Sequence, residues 1–233
     1  MKKFSSIYQK ALKRKGGEKG LKSWLPQKPY SPQKLSSILD DRHLSMMTRC
    51  VFQAGFAWKV INDKWDDFET VFFGFSPEKM VLLSPDQLSK IGKDARIVRN
   101  MQKILSVPKN AQYMIDRAKD YGSFSNYIAQ WSIENIIGLH ADLKKNGSRL
   151  GGMTGPRVLR SMNKDTFLLT ADVVACLQGA GLDIKNTPSS QREMTDIQNT
   201  FNQWHQETGL SLSTLSRICA CSVGENYATP EGH

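Results

Sequence analysis

From Ser31-Pro32 onward, apolar residues recur every three or four positions and rarely alternate, so the pattern predicts helices and an all-α fold. Leu44, Met47, Val51, Ala54, Phe56, Trp58 and Val60 predict one long buried helix, with Gly55 thinning one face. Trp65, Phe68, Val71, Phe72 and Phe73 form a second stripe that Gly74 closes. Ser76-Pro77-Glu78 and Ser84-Pro85-Asp86-Gln87 each place a capping serine before a first-turn proline, and Gln87 completes a capping box. Val98, Met101, Ile104, Leu105, Ala111, Met114, Ile115 and Ala118 give a further face, with Pro108 as an interior break or kink. Tyr121-Gly122-Ser123 ends it, and Ser123 or Ser125 caps the segment through Trp131. Thr187-Pro188-Ser189 opens a polar helix through Trp204, and Leu210, Leu212, Leu215, Ile218 and Ala220 make a last one.

The segment from 133 to 162 carries the first candidate chemistry. Ile136, Ile137, Leu139 and Leu143 define a helix over 133–145 that Asn146-Gly147 stops with a left-handed cap. A tight turn with Gly151, Gly152 and Gly155 follows, then a second helix entered through Pro156 at its first position and continued by Val158, Leu159 and Met162. This is a helix-hairpin-helix pattern over about residues 143–162. Glycine amides approach a phosphate closely and the second helix adds its positive dipole end, so Gly152, Thr154, Gly155 and Arg157 are candidate contacts to a DNA backbone. An ordinary glycine turn between two packed helices has the same sequence pattern.

Charge adds a direction. The chain of 233 residues has 32 Lys or Arg against 22 Asp or Glu. Residues 1–34 hold ten of the basic residues and a single acid, Glu18, which leaves 22 against 21 elsewhere. Residues 1–31 therefore read as a basic, partly extended arm, extended over 15–31, that favours a polyanion; a merely solvated tail is the alternative. Phe4, Ile7, Tyr8, Ala11 and Leu12 allow a turn or two of amphipathic helix within it, and Trp24 and Tyr30 pack or stack on a base. Residues 32–226 read as the helical domain, of two lobes with a pocket at their seam, and 227–233 as a disordered tail. No apolar run reaches membrane-span length and no signal peptide is recognised, so a cytoplasmic protein with no membrane partner is expected. Cys50, Cys176, Cys219 and Cys221 lack paired metal or disulfide spacing. His43, His140 and His205 show no metal or triad spacing either.

Gln53-Ala54-Gly55-Phe56-Ala57-Trp58-Lys59-Val60-Ile61 resembles a segment of the bacterial DNA-3-methyladenine glycosylase I family. Phe75-Ser76-Pro77-Glu78-Lys79-Met80, Asp94-Ala95-Arg96-Ile97-Val98-Arg99, Tyr121-Gly122-Ser123-Phe124 and Leu143-Lys144-Lys145-Asn146-Gly147 resemble further family segments in the same order. The resemblance covers roughly residues 40–182 and implies a helix-hairpin-helix DNA glycosylase that flips a damaged purine out of duplex DNA and hydrolyses its N-glycosidic bond. It places Cys50 where the family has a base-reading glutamate, and Gln53, Trp58 and Phe52 near an extruded base. The family's zinc ligands are missing before Cys50, and its His-x-x-x-Cys pair is replaced by Asp172-x-x-x-Cys176, so neither a metal nor another cofactor is expected.

The wider superfamily places a catalytic aspartate at a helix start somewhat under twenty to about twenty residues past the hairpin, and Asp172 in Thr170-Ala171-Asp172-Val173-Val174 matches that place. A carboxylate there would stabilise an oxocarbenium-like sugar and orient water; a plain helix N-cap is the other role for the residue. Asp165 is the second acid, a turn or cap residue. Arg157, the nearest hairpin base, forms no Schiff base, which favours a monofunctional enzyme unless Lys164 faces the pocket. Arg96, Arg99 and Lys103 are candidate phosphate contacts or a solvated face. The expected function is excision of an alkylated, 3-methyladenine-like purine in DNA base-excision repair, by a monomer whose partner is double-stranded DNA with a damaged base and which needs no obligate protein partner. The alternative is a non-catalytic DNA-binding relic of the same fold.

Overall fold

The computed structural model describes residues 3–224, and every regular element among them is helical. The tail expected over 227–233 lies outside the described residues. The chain divides into two compact units, one formed by residues 1–29, 132–137 and 165–233 and the other by 30–131 and 138–164.

The second unit is built around helix Asp40–Gln53, whose buried face carries His43, Leu44, Met47, Cys50, Val51 and Phe52. It packs against helices Ser106–Tyr121 and Thr154–Ser161. The predicted single helix through Val60 is in fact two. Ala54 turns extended and Gly55 takes φ 68°, so a second helix, Trp58–Asp63, starts afresh. Phe56, Trp58 and Val60 are consequently exposed at 44%, 50% and 40%, where one continuous helix would have buried them.

Capping chemistry was readable. Ser76 opens helix Pro77–Val81, and Ser84 with Gln87 forms a reciprocal capping box at helix Pro85–Lys93. Gly122 ends Ser106–Tyr121 at φ 80°, after which Ser123, not Ser125, caps Phe124–Gln130. Pro108 does not kink its helix, because it is the third residue of Ser106–Tyr121, where a missing N–H costs no hydrogen bond. Asp142 ties three helices together: Tyr113 and Tyr127 donate to it at 2.5 and 2.7 Å, Arg117 at 2.7 Å and Asn146 at 2.7 Å. Burial pushes this carboxyl up, but its four donors outweigh that and hold it below the usual carboxylate range.

The first unit surrounds helix Leu212–Cys221, against which Phe4–Arg14, Ala171–Gly179 and Gln191–Thr208 pack. The basic arm is more ordered than expected. Phe4, Ile7 and Ala11 are buried on one face of Phe4–Arg14, and Glu18–Lys22 is a further short helix within the stretch predicted to be extended. Lys15 Nζ lies 3.8 Å from the ring centroid of Trp24, which gives that indole a packing role. Arg14 anchors the segment through the carbonyls of Cys221 and Val223, each at 3.2 Å. The polar helix starts at Gln191 under a Ser190–Glu193 capping box, three residues later than predicted from Thr187-Pro188, and runs to Thr208. Phe167 stacks on Phe201 at 4.5 Å, and Phe4 and Trp204 complete the aromatic cluster. Burying rings of this size contributes a few kcal/mol each, about 25 cal/mol per Å² of apolar surface.

Candidate base-recognition and backbone-binding residues

Cys50 sits on the last turn of Asp40–Gln53, 7% exposed. Burial pushes its thiol up to about 11, and Arg157, a hydrogen bond with Ser161, and Arg49 pull it back only in part. At neutral pH the group is an uncharged thiol and supplies no anionic acceptor. One turn after Arg49, Gln53 donates from Nε2 to Asn62 Oδ1 at 2.9 Å, and Arg49 reaches the same oxygen at 3.1 and 2.9 Å. Trp58 opens the next helix with half its surface free, and the Arg157 guanidinium stands 5.0 Å from its ring centroid. Helix Thr154–Ser161 packs on Asp40–Gln53, so Cys50, Arg157 and Ser161 act on one another, and Arg157 also reaches Trp58.

Phe52 departs from the expectation. It is 1% exposed, its ring meets Phe68 edge-on at 4.7 Å, and it offers no face to a base. Lys103 is likewise committed, donating to the carbonyls of Phe52 and Ala54 at 3.0 and 2.7 Å, where it satisfies the end of the Asp40–Gln53 helix. Arg96 pairs with Asp94 at 2.7 Å.

The glycine turn joins helix Ile136–Asn146 to Thr154–Ser161. Pro156 is the third residue of the second helix, not the first. The left-handed residue after the first helix is Arg149, φ 62°, instead of Asn146 or Gly147; Gly147 is needed for space, since a Cβ there would come within 2.6 Å of the Leu150 side chain. Gly155 is also a spacing residue, its Cβ position 2.5 Å from the Leu150 carbonyl oxygen.

The amides of Thr154 and Gly155 are already bonded, to Gly151 O at 3.2 Å and Leu150 O at 3.0 Å, so neither is available to a phosphate as expected. Gly152, exposed at φ 58°, keeps a free N–H, as do Gly151 and Met153 beside it. Those two were missed. Helix orphan-donor logic finds them once the helix start is fixed at Thr154.

Asp172 is the second residue of helix Ala171–Gly179. The N-cap is Thr170, whose hydroxyl accepts from the Val173 amide at 3.3 Å, so the capping role considered for Asp172 belongs to its neighbour. The Asp172 carboxylate is half-buried and lies against Gly224, where a Cβ would come within 2.7 Å of Oδ1. Asp165 is the cap residue expected: its carboxylate accepts from the amides of Leu212 and Ser213 at 3.0 and 2.8 Å, at the start of Leu212–Cys221. Lys164 is 3% exposed and donates from Nζ to the carbonyls of Ala129 and Trp131.

The family's zinc does not fit here. Cys176 accepts from the Ser222 hydroxyl at 3.4 Å and is hydrogen-bonded to Cys219, whose thiol burial pushes well above its ordinary range, so both are held as neutral thiols and not as metal-binding thiolates. Among the described residues no group of three His, Cys, Asp or Glu could hold a metal ion.

A family model for methyladenine glycosylase matches residues 36–182, more than half of the chain. The chain belongs to the methyladenine glycosylase family. Its similarity to DNA-3-methyladenine glycosylase 1 of Escherichia coli (strain K12) is 25% identity over 83 residues, 36% of this chain and 43% of that one, so less than half of the relative's length is spanned. Two structures of 3-methyladenine DNA glycosylase I from Staphylococcus aureus share the fold. One, solved for 3-methyladenine recognition, has a TM-score of 0.51 and 20% identity, covering 78% of this chain and 100% of the other. The second, of a mutant, has a TM-score of 0.50 and 20% identity over 72% and 89%. The family segment contains the Gln53–Trp58 stretch, the glycine turn and Asp172. No helix among the described residues is long and apolar enough to cross a membrane.

Proposed function

We propose that this protein is a monofunctional DNA glycosylase that extrudes a damaged purine and hydrolyses its N-glycosidic bond. The observation that carries the reading is the family match over 36–182, which supports alkylated purines as the substrate class. Three local features support it. The exposed Trp58 ring offers a stacking platform. The free amides of Gly151, Gly152 and Met153 suit a phosphate at a helix start. The committed Lys164 ammonium leaves a lyase step without a nucleophile.

In this reading the C1′–N bond breaks with its electron pair going to the base. The sugar is left oxocarbenium-like, and Asp172 stabilises that charge while accepting the proton of the water that adds at C1′. The half-buried carboxylate on a helix's first turn is suited to the task.

The test is release of free base from methylated duplex DNA, followed by alkaline cleavage at the abasic sites left behind. Wild type should release base, and Asp172→Asn should bind the same DNA without doing so. If wild type releases nothing across a panel of lesions while still binding DNA, the protein is a binding relic of the fold. The neutral Cys50 thiol in place of a carboxylate is the observation that favours this second reading.

A further inference from the structure

The face of Trp58 is already occupied by a cation. Arg157 Cζ stands 5.0 Å above the ring centroid, within cation–π range, and Arg157 also acts on Cys50 from the same helix that brings Ser161 to the thiol. A base stacking on Trp58 therefore meets the guanidinium, either sandwiched against it or hydrogen-bonded at its edge. The charges acting on Cys50 are those of Arg157 and Arg49, both positive, and no carboxylate is among them. The nearest acid on the Trp58 helix, Asp63, is neutralised by Lys59 at 2.6 Å. The groups gathered here are mainly donors: the guanidinium forks, the Ser161 hydroxyl and a weak thiol donor.

Such a face suits an uncharged base rich in acceptors. Guanidinium planes stack on neutral bases, and an arginine fork matches the O6 and N7 acceptors of a 6-oxopurine in two parallel hydrogen bonds. An N7- or N3-alkylated purine nucleoside is positively charged. It would meet like charge at contact distance and forfeit the cation–π contact that Arg157 already makes with Trp58.

We propose that the base taken at Trp58 is an uncharged 6-oxopurine lesion of the deaminated kind, and that cationic N-alkylpurines are the poorer substrates. The proposal rests on the glycosylase reading and narrows its substrate class. Undamaged guanine is kept out by the cost of opening its stronger pair, whereas a mispaired deaminated base is extruded at lower cost.

The test uses two otherwise identical duplexes, one holding hypoxanthine opposite thymine and the other 7-methylguanine opposite cytosine. Wild type should release hypoxanthine at least tenfold faster. Arg157→Gln should slow hypoxanthine release about tenfold and leave 7-methylguanine release unchanged or faster, while Arg157→Lys should keep the charge discrimination. Circular dichroism melts of both variants separate these effects from misfolding. Equal or faster release of 7-methylguanine by wild type overturns the proposal, as does an equal loss on both duplexes in a folded Arg157→Gln.

If wild type releases neither base, the glycosylase reading fails, and binding of the same duplexes by fluorescence anisotropy decides the inference. At least threefold tighter binding of the hypoxanthine duplex supports it, and equal or reversed affinity overturns it.

Discussion

Acid should destabilise this fold through one buried ring. His43 is 2% exposed, its edge packs on Phe124 at 5.5 Å, and its Nε2 has no hydrogen-bond partner. Burial lowers its pKa from 6.5 to about 4, against a weaker opposing pull from Asp40. The folded state therefore refuses a proton that the unfolded chain accepts. Stability from this group is complete above pH 6.5, falls as pH drops from 6.5 towards 4, and levels off below. At 1.36 kcal/mol per pH unit, the loss amounts to about 3 kcal/mol, a large share of the ~5–15 kcal/mol that holds a typical domain. The perturbation is His43→Leu, and the assay is urea unfolding from pH 7.5 to 4, followed by tryptophan fluorescence. Wild type should lose about 3 kcal/mol more than the variant across that window. Parallel pH curves would refute the argument, because the ring would then be titrating in the fold much as it does in the open chain.

Further outcomes follow from single contacts. Gly155→Ala places a methyl 2.5 Å from the Leu150 carbonyl, so a fall of about 2–3 kcal/mol in unfolding free energy is expected. Gly152→Ala, with φ 58° but open space around it, should cost only about 1 kcal/mol; the two are compared by thermal melts, and equal losses would sink the steric account. Asp165→Ala removes the acceptor for two first-turn amides and should cost about 1–2 kcal/mol, yet leave base release per folded molecule intact. Borohydride should trap no covalent adduct with DNA, since Lys164 is spent on two carbonyls; a trapped adduct lost in Lys164→Met would reverse that.

Much of this fold was legible because its punctuation is local. Ser84-x-x-Gln87, Gly122-Ser123 and the apolar spacing around Leu215 act within a few residues, and each landed where the pattern put it. The misses are contests that local rules cannot decide. Apolar periodicity runs through Gly55, and the backbone break there wins, which turns Trp58 outward. The amphipathic face of Phe4–Arg14 is short and followed by glycines, and only the distant Leu212–Cys221 helix gives it something to bury against.

At the candidate site the sequence named Cys50, Trp58 and Arg157 but not their grouping. Ser161 lies one turn beyond Arg157, and Arg49 one turn before Gln53, so i, i+4 spacing held the missing signal. Phe52 could not be told from Trp58 by residue type. Burial separates them, and burial depends on the Phe68 ring brought in from another helix.

The most direct test of the central claim is single-turnover base release by wild type and Asp172→Asn on one lesion-bearing duplex, with binding measured alongside. The account predicts release by wild type, a loss of at least a hundredfold in the variant, and DNA affinity within about threefold between the two. Undiminished release by a folded Asp172→Asn would contradict it.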